Sequence, residues 1–213
     1  MTDASKTIAI VLAAGRGTRA GGTQPKQWQI LLGKPLLAWS VEAFMSHDDI
    51  DGVVVVHHPE DQDLISQVPA AARCVEGGAN RDNSVRCALE ALKDQAPDYV
   101  LIHDAARPCL TQSLISSCIE AMRSHGAAAP AVAVQDTLWR CGDTVETIVD
   151  RSGLWRAQTP QCFSYPLICA AHAAATAQAT DDVQVVRAMG HSVAIVPGDA
   201  DNLKVTVPDD FGR

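Results

Sequence analysis

No Cys-x-x-Cys pair occurs in this 213-residue chain, and its seven cysteines, Cys74, Cys87, Cys109, Cys118, Cys141, Cys162 and Cys169, lack zinc-like histidine spacing. An odd number cannot all pair internally, so reduced, mostly buried thiols are expected rather than a disulfide framework. Long hydrophobic runs are missing too. The N-terminal MTDASKTIAIVLAAG sets one lysine before a short apolar stretch that closes on glycine, too short to span a bilayer, and a cytoplasmic location is expected. A basic excess is also absent: the formal net charge of −8 argues against nonspecific binding to nucleic acid or to a membrane surface, so any anion site must be local. Solenoid repeats and linkers are lacking, and the longest biased segment, CAAHAAATAQA (169–179), reads as a helix. What remains, 47% hydrophobic and 20% charged residues, is the composition of a folded chain, read as one domain over 1–213.

The apolar runs that are present are short and β-branched. TIAIVLA (7–13), GVVVVHH (52–58), YVLIHD (99–104), AAAPAVAV (127–134) and HSVAIVP (191–197) read as strands. Between them lie helical patterns: 35–47 behind Pro35, the stripe Val85, Ala88, Leu89, Leu92, and the stripe Leu114 to Met122 with Thr111 as N-cap and Gly126 as stop. Alternating strands and helices predict an α/β fold with a Rossmann-like, mainly parallel sheet covered by helices on both faces. Ligands in such sheets gather at the carboxyl ends of strands, which places the segments 14–26, 104–108 and 198–204 on one rim. Residues 135–157 break the alternation with short extended runs and a Gly142-Asp143 turn, and predict a projecting β-arm. Trp139 and Trp155 on that arm would be exposed apolar groups unless a partner covers them, so a dimer is expected.

One further absence points to chemistry. From Ala4 to Val41 there is no Asp or Glu, while Lys6, Arg16, Arg19, Lys26 and Lys34 are all present. A glycine-rich loop after a buried strand brings backbone N–H groups close to an anion, and Arg and Lys add charge-assisted bonds. Two familiar phosphate motifs fail in context. GRGTRA (15–20) fits G-x-G-x-x-G/A, but His57 and His58 stand where a dinucleotide site wants an acid, and GTRAGG (17–22) continues with Thr23-Gln24 rather than Lys-Ser/Thr. The third candidate, LAAG-x-G-x-R followed by Pro25-Lys26, resembles the triphosphate-wrapping loop of nucleotidyltransferases; a solvated basic loop is the bland alternative. In IHDAARP (102–108), Asp104 at a strand mouth suits a hard cation such as Mg²⁺, or else a salt bridge with Arg107, and His103 reads as structural. GGANRDNSV (77–85) opens a helix with a turn that can offer backbone groups and the Ser84 hydroxyl to a base, with Arg81 supporting ligand or loop. In DADNLKV (199–205), Lys204 follows a turn and can reach a phosphate.

Taken in order, LAAGRGTR…PKQ, GGANRDNSV, IHDAARP, QDT, VDRSGLW, QTPQ, TDD and DNLKVT closely resemble the 2-C-methyl-D-erythritol 4-phosphate cytidylyltransferases of the non-mevalonate isoprenoid pathway, over residues 8 to 209. The resemblance implies Mg²⁺-dependent transfer of CMP from CTP, and a homodimer built on the arm. It implies a catalytic set of Arg19, Lys26 and Lys204 around the triphosphate, and Asp104 as the metal-associated carboxylate. Ala13, Ala14, Gly15, Gly78, Arg81, Ser84, Asp104 and Ala105 fall in the nucleotide-binding set. Thr137 and Arg151 match arm residues that reach the methylerythritol phosphate in the partner's site, and Thr159 and Asp201 match further substrate-binding positions. Ala79 departs from the pattern, since relatives have an acid there, and TDD (180–182) replaces the usual TDE. A C-terminal helix is expected to follow PDDFGR. Two alternatives stay open: a cytidylyltransferase for another polyol phosphate such as ribitol 5-phosphate, and a noncatalytic nucleotide-binding dimer.

Overall fold

Strand β1 (Thr7–Ala13) feeds two cores with alternate side chains. In the computed structural model, which describes residues 5–16, 24–176 and 179–212, Ala9, Val11 and Ala13 join one buried cluster and Ile8 and Ile10 the other. A run without a polar face is what a strand covered on both sides requires. After β1 come a short hairpin, β2 (Ile30–Leu31) with β3 (Lys34–Pro35), then β4 (Gly52–His57) and β5 (Arg73–Glu76). The strands β6 (Tyr99–Asp104) and β7 (Ala127–Ala133) follow, then β8 (Leu138–Cys141), β9 (Val145–Val149), β10 (Trp155–Ala157), β11 (Gln161–Ser164) and β12 (Ala194–Pro197). Val53, Val55 and Leu101 extend the first core, and Val54, Val56, Val100 and Ile102 the second. Helices α1 (Leu36–Met45) and α3 (Gln112–His125) cover the first face through Leu37, Val41, Phe44, Ile115 and Met122. The second face is covered by α2 (Arg81–Ala91), α4 (Tyr165–Ala174) and α5 (Asp182–Ala188) through Val85, Leu89, Ile168 and Val186.

The main sheet runs β5–β4–β1–β6–β11–β7, with β10 and β12 also on β7. β1 pairs in parallel with β4 and β6, so that Ala9 lies beside both Val53 and Leu101. β5 joins β4 and β12 joins β7 in parallel, whereas β11 and β10 run antiparallel to their neighbours. The sheet is therefore mixed and mostly parallel, with helices on both faces, as the alternation of runs predicts. The edge strand β5 and the strand β11 escape that reading because RCVE and QCFS lack a continuous apolar run.

The arm needs a correction. β8 and β9 form their own two-stranded antiparallel unit around the Gly142-Asp143 turn, with Trp139 and Ile148 61% and 69% exposed. The last part of the expected arm does not project: Trp155, Arg156 and Ala157 pair with Ala133, Val132 and Ala131 of the main sheet. All three side chains are exposed, so their pattern looks like an arm, while the backbone groups find partners on β7. The alanine-rich helix begins earlier than 169, at Tyr165, and ends at Ala174, with 177 and 178 outside the described residues. The thiols need a correction too. All seven are free, but only Cys118 and Cys162 are buried; Cys109 and Cys141, in a loop and on β8, are exposed. No helix among the described residues is long and apolar enough to cross a membrane.

Helix α3 shows both expected end signals. Thr111 Oγ1 accepts the Leu114 N–H at 3.3 Å, and Gly126, at φ +78°, donates its N–H to the Met122 carbonyl at 2.7 Å. A Cβ at Gly126 meets nothing within 4 Å, so substitution there is opposed by backbone conformation alone. Gly126→Ala is expected to lower stability by about 1–2 kcal/mol, read as a shifted urea midpoint with an unchanged slope.

Candidate active site

The chain leaves β1 to build β4 and β5 on one side and returns to place β6 on the other. The carboxyl ends of β1 and β6 thus flank a switch point, where open α/β sheets bind ligands. A cleft of about 340 Å³ opens there. It is lined by Ala13, Ala14 and Gly15 at the end of β1, Lys26, the Gly78, Arg81 and Ser84 of the α2 start, Asp104 and Ala105 at the end of β6, and Lys204. Residues spread over almost the whole sequence meet at one rim. Arg19, of the expected set, lies outside the described residues.

The turn carrying Lys26 is fastened to the end of β1. Gln27, buried, donates its side-chain amide to the carbonyls of Ala13 and Gly15 at 2.6 and 2.8 Å. Lys26 Nζ donates to the Val205 carbonyl at 2.5 Å, and the Val205 N–H bonds back to Ala106. Lys26 is thereby brought beside the Lys204 segment. Not every basic residue of the acid-free stretch serves the cleft. Lys34 pairs with Glu42 and lies 3.7 Å from the Trp39 ring centre, and Arg16, although it lines the cleft, is bonded to Glu60 and Asp61. The missing carboxylates are supplied from elsewhere in the chain.

Asp104 sits at the centre of the cation cluster. Lys204 Nζ lies 2.8 Å from Oδ2, Arg107 Nε 3.7 Å from the same oxygen, and Arg81 Nε 4.0 Å from Oδ1. Burial pushes the Asp104 carboxyl up, but Lys204, Arg81 and Arg107 outweigh it and hold the group down at about 2. It is therefore a carboxylate at neutral pH and a poor proton acceptor. The salt-bridge reading of Asp104 is the one the geometry shows, since the cleft carboxylate is the partner of Arg107. Arg107 in turn donates to the Asn202 carbonyl at 2.7 Å and to Ala157 at 3.4 Å, locking the 199–205 turn under the site. Arg81 is braced from behind by Asp182 at 2.7 Å, at the start of α5. His103 is structural as expected: fully buried and bonded to the Arg107 carbonyl and the Thr159 hydroxyl, it is driven down to about 4, mainly by burial.

The Gly77–Ser84 turn is shaped by close approach. A Cβ at Gly77 would lie 2.8 Å from Ala14 Cβ, and one at Gly78 2.5 Å from Asn83 Cβ, so the turn fits glycine at both places. Asn80 caps α2 by accepting the Asn83 N–H at 2.8 Å. Ser84 is 2% exposed, and its hydroxyl is engaged with Asn80 O at 2.9 Å and the Gly78 N–H at 3.2 Å. Its hydroxyl thus fixes the turn, leaving backbone to face the cleft.

Four expected residues are not among those lining the cleft. Thr159 is buried beneath it, where its hydroxyl accepts the Asp104 N–H at 3.1 Å. Asp201 is exposed in the turn before Lys204, and Thr137 and Arg151 are exposed at the base of the arm, where Arg151 bonds the Gln135 carbonyl. Sequence reasoning missed Gln27, His58 and Asn80, all of which line the cleft. Gln27 is signalled only by its place beside Lys26, and His58 only by its place after a strand end.

Residues 7–213 match the family model described as IspD, 2-C-methyl-D-erythritol 4-phosphate cytidylyltransferase. A protein of that name from Cereibacter sphaeroides is 52% identical over 212 residues, covering 97% of this chain and 94% of the relative. A bifunctional IspD/IspF enzyme of Rhodospirillum rubrum is 49% identical, covering 98% of this chain and 56% of that one. The crystal structure of the cytidylyltransferase from Thermus thermophilus is similar with a TM-score of 0.80 at 33% identity, over 98% of this chain and 96% of that one. With the cleft, the cation cluster and the arm in place, the chain belongs to the 2-C-methyl-D-erythritol 4-phosphate cytidylyltransferase family.

Proposed function

We propose that this protein transfers CMP from CTP to 2-C-methyl-D-erythritol 4-phosphate, releasing pyrophosphate and forming 4-diphosphocytidyl-2-C-methyl-D-erythritol. The observation that carries the reading is the convergence of Lys26, Arg81 and Lys204 on one cleft beside a glycine turn able to hold a nucleoside. The cytosine and ribose are assigned to Ala13 to Gly15 and the Gly78–Ser84 turn, and the triphosphate to Lys26, Lys204 and, by the family resemblance, Arg19. The acceptor phosphate is already ionised, so attack on the α-phosphorus needs no protein base. Asp104, held at about 2 by its cations, is unsuited to be one. The lysines bind the charge that grows on the transferring group, and catalysis is positioning and electrostatics.

Mg²⁺ fits the donor set. Asp104 is the one carboxylate among the described residues that line the cleft, and Mg²⁺ is commonly held by one or two carboxylates plus substrate phosphates. Among the described residues there is no cluster of three His, Cys, Asp or Glu side chains that could cage a metal by itself. Asp104 would hold the ion, which when bound neutralises charge on the triphosphate oxygens. The homodimer belongs to the same reading: Trp139, Val145 and Ile148 give the two-stranded arm an apolar surface suited to a second copy, and Thr137 and Arg151 at its base serve the neighbour's acceptor. A cytoplasmic setting is supported by the seven free thiols.

Pyrophosphate release with Mg²⁺ is the direct test. CTP with methylerythritol 4-phosphate is expected to react, while ATP, GTP, UTP and ribitol 5-phosphate are not; release with ribitol 5-phosphate moves the acceptor, and silence from a folded dimer favours a noncatalytic role. Lys26→Ala is expected to lower kcat by about 10²–10³-fold, as loss of one oxyanion donor does elsewhere, with the melting temperature little changed; a full-rate variant removes Lys26 from the mechanism. Mixing inactive Lys26→Ala and Arg151→Ala proteins is expected to restore part of the activity through hybrid dimers. Hybrids that form and stay inactive contradict the shared site.

A further inference from the structure

Asp61 is buried and lies outside the cleft, in the 3₁₀ segment Pro59–Gln67 that follows β4. Its two oxygens hold donors from two separate places. Oδ1 accepts from Arg16 Nη1 at 3.0 Å, and Oδ2 accepts the Trp28 indole N–H at 2.8 Å. Arg16 precedes residues 17–23 and Trp28 closes the turn Lys26–Trp28, so one carboxylate ties both flanks of the glycine-rich loop to a single point. Arg16 is oriented further by Glu60 at 3.1 Å and by His58 Nδ1 at 3.3 Å. Trp28 is fully buried, and its indole N–H finds its acceptor in Asp61. Displacing either flank would strand a buried carboxylate oxygen or a buried indole N–H, both of which are costly.

We propose that Asp61 is a positioning residue for CTP: it holds Arg16 and, through Trp28, the Lys26 turn at the separation that the triphosphate requires. The inference rests on Lys26 being a phosphate ligand. Asp61 is absent from the cleft lining, whereas Arg16 and Lys26 are both in it, so its effect passes through those two side chains. Asp61, with Glu60, also explains why the acid-free stretch can carry Arg16 next to a buried strand: the compensating charge comes from the segment that follows β4.

Steady-state kinetics of the full protein tests this. Asp61→Asn keeps an amide oxygen for Trp28 and turns an NH₂ toward Arg16, so the charge pair and the hydrogen bond to Arg16 are lost while the Trp28 bond remains. KM for CTP is expected to rise about tenfold, the scale of one charged hydrogen bond, with KM for the acceptor nearly unchanged. Arg16→Gln is expected to do the same, and the double variant to be no worse than either single, because both act through one contact. Additive losses, or a lower yield of active enzyme with wild-type KM for both substrates, would overturn the proposal in favour of a purely structural carboxylate. Should Asp61→Asn fail to fold, an unchanged KM for CTP in Arg16→Gln overturns it equally. Lys26→Ala, run alongside, separates the two levels: full activity there removes the phosphate reading and this inference with it, whereas a dead Lys26→Ala beside a normal Asp61→Asn removes only the role of Asp61.

Discussion

The rest of the site depends on the placement of one partly buried carboxylate, Asp104, among three cations. Its oxygens draw Arg81 from the start of α2, Arg107 from the loop after β6 and Lys204 from the C-terminal turn to one point at the end of β6. Arg81 and Arg107 are each fixed in turn by another contact: Arg81 by Asp182, and Arg107 by the carbonyls of Asn202 and Ala157. The cluster is thus a tertiary fastener as well as a binding surface. Removing its centre would leave three positive groups facing each other in a partly desolvated cleft, a state far costlier than the loss of a surface ion pair.

This arrangement explains which parts of the molecule are legible in the sequence. The strands β1 and β6 are readable to the residue because each is an unbroken apolar run that closes on a functional turn. The cleft residues of those turns are readable for the same reason, since strand ends in such sheets are where ligands sit. β10 escapes because exposed side chains say nothing of backbone pairing: WRA looks like arm yet extends the sheet. Thr159 reads as a substrate contact, but its hydroxyl serves the backbone of Asp104, and no local pattern tells a threonine that touches ligand from one that supports the residue beside it. Gln27 and Asp61 are invisible because their partners are carbonyls or side chains fixed only by the fold.

The acid-free stretch shows the same logic from the other direction. Five cations without a nearby carboxylate in sequence suggest a single polyanion site, but the fold divides them. Lys34 is neutralised by Glu42, and Arg16 is committed to Asp61 and Glu60, while Lys26 is turned toward the Lys204 segment. The charge of one stretch is therefore an upper limit on what that stretch contributes to the site. What the stretch secures is the absence of acids from its own part of the cleft wall, and among the described residues that line the cleft Asp104 is the sole carboxylate.

That division also resolves how a chain of net charge −8 can bind a nucleoside triphosphate. At physiological ionic strength exposed charges are screened beyond about 8 Å, so the acidic surface as a whole contributes little inside a cleft of this size. Lys204 and the two arginines around Asp104 act across much shorter distances, in surroundings where water is partly excluded and each interaction is stronger. The balance between them and a single carboxylate then decides affinity, and it leaves a net positive site without making the protein basic. A second acid at the rim would upset this by pairing with Lys26 or Lys204 before the nucleotide arrives, and CTP would have to displace it. Keeping acids out of the stretch from Ala4 to Val41 is the sequence's way of preventing that competition.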